Sequence, residues 1–225
     1  MKNLIMIPAR SGSQRIPNKN LININGKPLI YYTIKECKKL KKIADIYVST
    51  DSNKILNYCK KFNHIVTKKR SKRLSMNRSS MNDAMLDLIL YLEKINKKYK
   101  NIILLQPTSP MRKYQEIIKC LNLFKKKKLK SLATISTLME NSNEIVVRNR
   151  KNWECLFDNR NLNQECNYID GSIYMCAVDF FKKYKNIYKK GETFFYKVNK
   201  SYNVDVDYKH DLVLAEYFIK KNLKK

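Results

Sequence analysis

Ile7-Pro8-Ala9-Arg10-Ser11-Gly12-Ser13-Gln14-Arg15-Ile16-Pro17-Asn18-Lys19-Asn20-Leu21 follows the apolar run Leu4-Ile5-Met6-Ile7. The run reads as a first strand. The chain leaves it into a loop carrying one Gly, two Ser and three cations. Small residues let backbone N–H groups approach a phosphate, and Arg and Lys neutralise its charge. Open α/β sheets bind nucleotides at this place, the C-terminal end of a first strand. The loop has neither the GxGxxG nor the Walker A spacing, which argues against the dinucleotide-binding and P-loop families.

Outward from this loop, apolar runs alternate with helical periods. Strands are expected at 3–8, 44–49, 64–67, 101–106 and 131–136, and helices at 28–41, 52–62, 80–97 and 114–126. After a polar, Asn-rich stretch at 137–165 come strands at 172–178, 194–198 and 202–206, with helices at 179–185 and 210–222. Such alternation builds a three-layer α/β/α, Rossmann-like domain with a mostly parallel sheet. The 225 residues suffice for one such domain, taken as 1–225.

The formal net charge is +28, yet the lysines are spread along the chain and many fall on expected helix faces. That distribution reads as solvated surface rather than a nucleic-acid footprint. The richness in Asn, Ile, Tyr and Lys suits an AT-rich coding sequence. Lys125–Lys128 is expected to end a helix, where cations suit the macrodipole. No run of 18 apolar residues exists, so no membrane span is expected. The short N-terminal apolar stretch runs into the anion loop, unlike a signal peptide, and a cytoplasmic location is expected. The six cysteines lack CxxC spacing and only two histidines are present, so a zinc site is not expected.

Candidate site residues follow. Arg10, Ser13 and Lys19 suit a triphosphate; Arg bridges two oxygens, whereas Lys is a point charge. Asn20 both donates and accepts, which suits a ribose or base edge. A basic turn stiffened by Pro17 is the plainer alternative. Asp51 reads first as the N-cap of the helix near Asn53, with cleft lining second. The stretch Gln106-Pro107-Thr108-Ser109-Pro110 rigidifies a strand end and puts Gln106 and Thr108 at its rim, with Arg112 at the start of a helix. Val204-Asp205-Val206-Asp207 alternates in strand period, so both carboxylates share one face. Asp205 and Asp207 then fit a hard ion such as Mg²⁺, which takes one or two carboxylates plus phosphate oxygens. A polar strand face balanced by lysines is the other reading.

The run P-A-R-S-G-S-x-R-I-P-x-K-N-L resembles the signature loop of the cytidylyltransferases that activate nine-carbon keto acids, the CMP-N-acylneuraminate synthetases with their legionaminic and pseudaminic acid relatives. Val48-Ser49-Thr50-Asp51, Leu104-Leu105-Gln106-Pro107-Thr108-Ser109-Pro110-Met111-Arg112, Asp170-Gly171-Ser172-Ile173-Tyr174 and Val204-Asp205-Val206-Asp207 continue the resemblance in order. It implies a nucleotide-diphospho-sugar transferase fold, with CTP held by Arg10, Ser13, Lys19 and Asn20. In a segment that recognises cytosine in this family, Arg70 matches the base-contacting Arg and Ser79 or Ser80 the nucleotide-site hydroxyl that opens the next helix, with Asn77 in place of an Asp. A basic loop with a Ser cap remains the alternative there. Gln106 and Thr108 lie by the acceptor sugar in this family. Asp170 stands where Asn is common, which shifts the expected acceptor from plain sialic acid toward an amino-substituted relative. Arg160 aligns with an Arg that contacts the sugar carboxylate, in cis or across a dimer. Residues 137–165, with Trp153, match an arm that reaches a partner subunit; an ordered surface excursion is the alternative.

The expected reaction is Mg²⁺-dependent. The anomeric hydroxyl of a sialic acid-like sugar attacks the α-phosphorus of CTP and pyrophosphate leaves, with Arg10, Lys19 and Asp207 as catalytic residues. Positioning and charge neutralisation carry such a displacement. The expected assembly is a homodimer, without nucleic acid or membrane as partner. A Kdo-type cytidylyltransferase, a uridylyl enzyme and a non-catalytic basic nucleic-acid-binding protein are the alternatives. The last leaves Asp205, Asp207 and the Gln106 turn unexplained.

Overall fold

The computed structural model describes residues 2–75, 79–138, 146–149, 152–155, 166–198 and 204–223. In chain order the strands are β1 (Asn3–Pro8), β2 (Asn23–Ile24), β3 (Lys27–Pro28), β4 (Ala44–Thr50), β5 (Val66–Lys69), β6 (Asn101–Leu104), β7 (Ser131–Thr137), β8 (Val146–Asn149), β9 (Asn152–Cys155), β10 (Asn167–Ala177) and β11 (Phe194–Lys197). The α-helices are α1 (Leu29–Cys37), α2 (Asn53–Cys59), α3 (Met81–Lys94), α4 (Tyr114–Lys126), α5 (Val178–Tyr184) and α6 (Lys209–Leu223).

Seven strands form the central sheet, ordered β11-β7-β10-β6-β1-β4-β5. Neighbours pair in parallel except at β10, which runs antiparallel to both β6 and β7. The expected mostly parallel sheet is therefore present, with one reversed strand. Reversal brings the first half of β10 to the same edge as the loops that leave β1, β4, β5 and β6.

Both faces of the sheet are covered, so β1 is apolar on both sides. Ile5 and Ile7 join a cluster with Ile30, Ile34, Ile117 and Leu121 from α1 and α4. Leu4 and Met6 point the other way, against Met85, Leu88 and Phe181 from α3 and α5. Helix α3 starts at a capping box in which Ser80 and Asp83 each bond the other's backbone N–H. Helix α4 buries Ile117, Cys120, Leu121 and Phe124 at helical spacing and ends in the lysine run, with Lys128 left-handed at φ 52°. A third cluster holds Val204, Val206, Ala215 and Ile219 against Ile16 and Met111, seating α6 beside the first loop.

Several expected elements shift. The first helix becomes α1 plus a 3₁₀ turn at Lys38–Leu40. Strand β6 stops at Leu104, although Leu105 still donates to Met6 O at 3.0 Å. Residues 204–207 form no strand. Val206 N donates to Thr108 O at 2.8 Å, and that bond holds the segment against the Gln106 turn. The alternation survives, with Val204 and Val206 buried and the two Asp turned outward. Within 137–165, Thr137 ends β7, and residues 146–149 and 152–155 form an antiparallel hairpin of β8 and β9, separate from the main sheet. Arg160 and Asn77 lie outside the described residues. Among the described residues no helix is long and apolar enough to cross a membrane.

Candidate functional site

The first loop leaves β1 at the C-terminal edge of the sheet and is pinned at several points. Ala9 N donates to Ser49 O at 2.9 Å. Ser11 donates through N (2.8 Å) and Oγ (2.5 Å) to the two oxygens of Asp51. Asn20 is buried, and its Nδ2 donates to Arg10 O at 2.9 Å, folding the loop on itself. Asn18 adopts the left-handed region at φ 53°, a conformation Asn tolerates, and starts the 3₁₀ turn that aims Lys19.

Asp51 therefore does not cap the following helix. Ser52 does, accepting from Ile55 N at 3.3 Å. The expectation is corrected for a simple reason: the hydroxyl next in sequence can cap, which frees the carboxylate for the loop's donors.

Lys19 is the centre of the site. Its Nζ donates to Asp207 Oδ1 at 2.7 Å and to Val206 O at 2.8 Å. Arg15 Nη1 holds the other oxygen of Asp207 at 2.9 Å, while its guanidinium lies 4.5 Å from the Tyr208 ring centroid. Burial alone would push the Asp207 carboxyl up. The Lys19 hydrogen bond and charge, with Arg15 beside them, outweigh it and hold Asp207 below the usual carboxylate range. The Asp207–Tyr208 backbone is fixed by Asp211, whose Oδ2 accepts both N–H groups at 2.8 and 2.7 Å.

Asp205 is in the opposite state. The residue keeps solvent access, but its carboxyl is crowded, and that desolvation raises it above the usual range. A hydrogen bond from Thr108 only partly offsets the burial, and the charge of Asp207 adds to it. Gly171 lies alongside: a Cβ there would sit 3.6 Å from Asp205 Oδ2.

A cavity of about 280 Å³ opens between these elements. One wall is the first loop, with Arg10, Ser13, Lys19 and Asn20. The facing wall carries Arg70, Ser79 and Ser80, and the floor carries Gln106 and Thr108 next to Asp207. Arg70 is buried; its Nη2 donates to Ser49 O at 2.9 Å and its Nε to Ser49 Oγ at 3.2 Å. Burial lowers its pKa, while Asp51 and Asp87 act the other way. Ser79 Oγ donates to Arg73 O at 2.6 Å, and Ser80 is the cap of α3.

Two expected site residues turn inward. Asp170 is buried, with Oδ1 accepting from Thr134 Oγ1 (2.5 Å) and Ser172 N (2.9 Å), and Oδ2 from Ser136 Oγ (2.9 Å). The expectation that it faces a sugar is corrected. An acceptor-only carboxylate suits this cluster of donors on neighbouring strands. Arg112 is also buried, donating to Ser172 O (2.6 Å), Thr33 Oγ1 (3.2 Å) and Gln106 O. Burial pushes it down to about 10, so it stays charged at neutral pH. It ties the Gln106 turn to β10 rather than offering a free cation to the cavity, and the helix it was expected to open begins at Tyr114.

Sequence reasoning left the role of Arg15 open and missed the Ser11–Asp51 contact. Both contacts join residues far apart in the chain. The cation content of the loop was the signal for Arg15, and the second reading of Asp51, as cleft lining, was the one for its contact with Ser11.

Comparison with known proteins identifies the family and the fold. The chain is 29% identical over 229 residues to the CMP-N,N'-diacetyllegionaminic acid synthase of Legionella pneumophila, covering 99% of this chain and 98% of that protein. It is 27% identical over 229 residues to a pseudaminic acid cytidylyltransferase of Campylobacter jejuni, with the same coverage. The fold is that of CMP:2-keto-3-deoxy-manno-octonic acid synthetase, solved in complex with CTP, at TM-score 0.72, 19% identity, and 99% and 100% coverage of the two chains. The cytidylyltransferase family profile matches residues 4–221. With nearly its whole length matched, the chain belongs to the cytidylyltransferase family and is a nucleotidyltransferase.

Proposed function

We propose that this protein transfers the cytidylyl group of CTP to the anomeric hydroxyl of a nine-carbon keto sugar acid. The hydroxyl oxygen bonds to the α-phosphorus, the bond to the β-phosphate oxygen breaks, pyrophosphate leaves, and the hydroxyl proton passes to solvent. The observation that carries this reading is the cavity in which Lys19, Arg10 and Arg70 face Asp207 at the sheet edge. Such a site accepts a polyanion and neutralises it, which is most of what phosphoryl chemistry requires of a protein. The names of the legionaminic and pseudaminic acid relatives support the choice of acceptor.

Arg10 and Lys19 hold the phosphates in this reading, Ser13 and Asn20 shape the loop around them, and Arg70 with Ser80 faces the base. Gln106 and Thr108 sit at the floor, where the acceptor enters. The donor set also fits Mg²⁺. Asp205 is crowded and beside a second carboxylate, a state that a cation relieves. Asp207 keeps lone pairs beyond those used by Lys19 and Arg15. Asp205 and Asp207 would hold the ion, which when bound supplies charge neutralisation and acidifies the hydroxyl.

In this reading the β8–β9 hairpin, a sheet separate from the central one, belongs to the arm that reaches a partner subunit in a homodimer. Five described cysteines are free thiols, which supports a reducing, cytoplasmic setting.

Pyrophosphate release tests the reading, with CTP or UTP against a panel of eight- and nine-carbon keto acids. Turnover with CTP and a nine-carbon acid is expected. Preference for UTP or for an eight-carbon acid would overturn it.

A further inference from the structure

A second cavity, about 750 Å³ against 280 Å³ for the first, lies at the opposite end of the sheet. Lys100 and Lys130 stand just before β6 and β7, whereas Gln106 of the cytidylyl site follows β6. Their backbones are fixed there: Val178 N donates to Lys100 O and Ala177 N to Lys130 O, both at 2.9 Å. The volume falls in the range of small-molecule sites.

Its lining has two chemistries. The body is apolar and aromatic, built by Val178, Tyr99, Phe180 and Tyr184. Phe180 and Tyr184 meet edge to face, with ring centroids 4.8 Å apart. Around this body stand Lys98, Lys100, Lys130 and Lys183. Three carboxylates share the wall, but two are already engaged. Glu93 pairs with Lys182 at 2.6 Å; Glu192 pairs with Lys189 at 2.9 Å and accepts from Tyr184 OH at 3.0 Å. Among the described residues the ammonium groups of Lys98, Lys100 and Lys130 have no carboxylate partner, and only Asp179 remains to oppose them. Free cations around aromatic surface suit one class of ligand, in which a flat apolar part is buried and an anionic part meets the lysines.

We propose that this cavity is a second binding site, for a small amphipathic anion with a flat apolar body and a carboxylate or phosphate group. The proposal is independent of the cytidylyl reaction, because no residue of the cytidylyl cavity contributes to the second one.

Anilinonaphthalene sulfonate is a suitable probe, its sulfonate standing for the carboxylate or phosphate. Fluorescence titration of the full chain should show one saturable site that excess CTP does not displace. The double variant Lys100→Ala/Lys130→Ala should bind the probe at least about tenfold more weakly, the loss of one charge-assisted contact. Uncharged phenylnaphthylamine should bind both proteins alike. A control removes equal charge from the end of α4, Lys125→Ala/Lys126→Ala, and should leave the probe affinity unchanged. The proposal is overturned by absence of saturable binding, by displacement with CTP, or by equal affinity in the two double variants. Turnover with CTP in the Lys100/Lys130 variant separates this outcome from failure of the cytidylyl reading.

Discussion

Lys19 and Asp207, 188 positions apart in sequence, form the ion pair that ties the first loop to the segment before α6, with Nζ 2.7 Å from Oδ1. Lys19 also holds the neighbouring carbonyl of Val206, so one ammonium organises both a charge and a backbone. Lys19→Ala should reduce kcat/KM by about 1.5–3 kcal/mol of transition-state stabilisation, the range for a charge-assisted hydrogen bond. Steady-state kinetics checks it, with circular dichroism to confirm the fold. Near-wild-type turnover in a folded variant would remove Lys19 from the reaction.

Asp205 and Asp207 make a matched test of the proposed Mg²⁺ site. Asp207→Asn keeps the volume and loses a charge that Lys19 and Arg15 now balance. Turnover should fall more than CTP affinity if the ion acts on the transition state. Chelation should stop catalysis while the circular dichroism spectrum stays unchanged. Full activity in both Asp205→Asn and Asp207→Asn would place the metal elsewhere.

Asp170 should behave as a structural residue. Asp170→Ala leaves the Thr134 and Ser136 hydroxyls and the Ser172 N–H without their acceptor in a buried place. A loss of roughly 2–4 kcal/mol in urea unfolding is expected, because buried donors left unpaired bear their full desolvation penalty. An unchanged unfolding midpoint, accompanied by a changed acceptor preference, would return Asp170 to the sugar site.

Gly171 sits at φ +71° in the irregular part of β10, where the register with β7 shifts. An alanine there is strained by the backbone alone, by roughly 1–2 kcal/mol. Its methyl would also stand against the Asp205 carboxylate. Gly171→Ala should therefore lower both the unfolding midpoint and turnover. Loss of stability with unchanged turnover would detach Gly171 and Asp205 from catalysis.

His64 contributes a pH dependence of stability. Burial lowers its pKa below the ordinary 6.5, against the bond between Nε2 and Ile34 O, with Lys38 and Lys41 pushing the same way as burial. The folded pKa lies below the unfolded one, so the unfolded chain takes up the proton first. The stability from neutral His64 is complete above pH about 6.5 and declines as pH falls below it. Denaturation midpoints measured across this window should show a steeper decline for the native chain than for His64→Gln. Parallel curves would remove His64 as the cause.

What the sequence by itself determined is the part governed by local pattern. The apolar run into a Ser/Gly/cation loop set β1 and the loop that follows it, and helical periods set α1 to α6 within a few residues. These features depend on neighbours along the chain, through the periods of strand and helix and the capping chemistry of Ser80. Tertiary structure alone decided the rest. Nothing in the β10 segment itself states that it runs against β6 and β7; pairing with distant strands does. Asp51 could cap or hold the loop, and the presence of Ser52 and Ser11 in space selected the loop. Asp170 and Arg112 carry charges that local pattern assigns to a cleft, yet they point into the protein, where strands far apart in sequence supply their partners. The direction of a polar side chain is set by which donors and acceptors surround it after folding, and residue order does not contain that information locally.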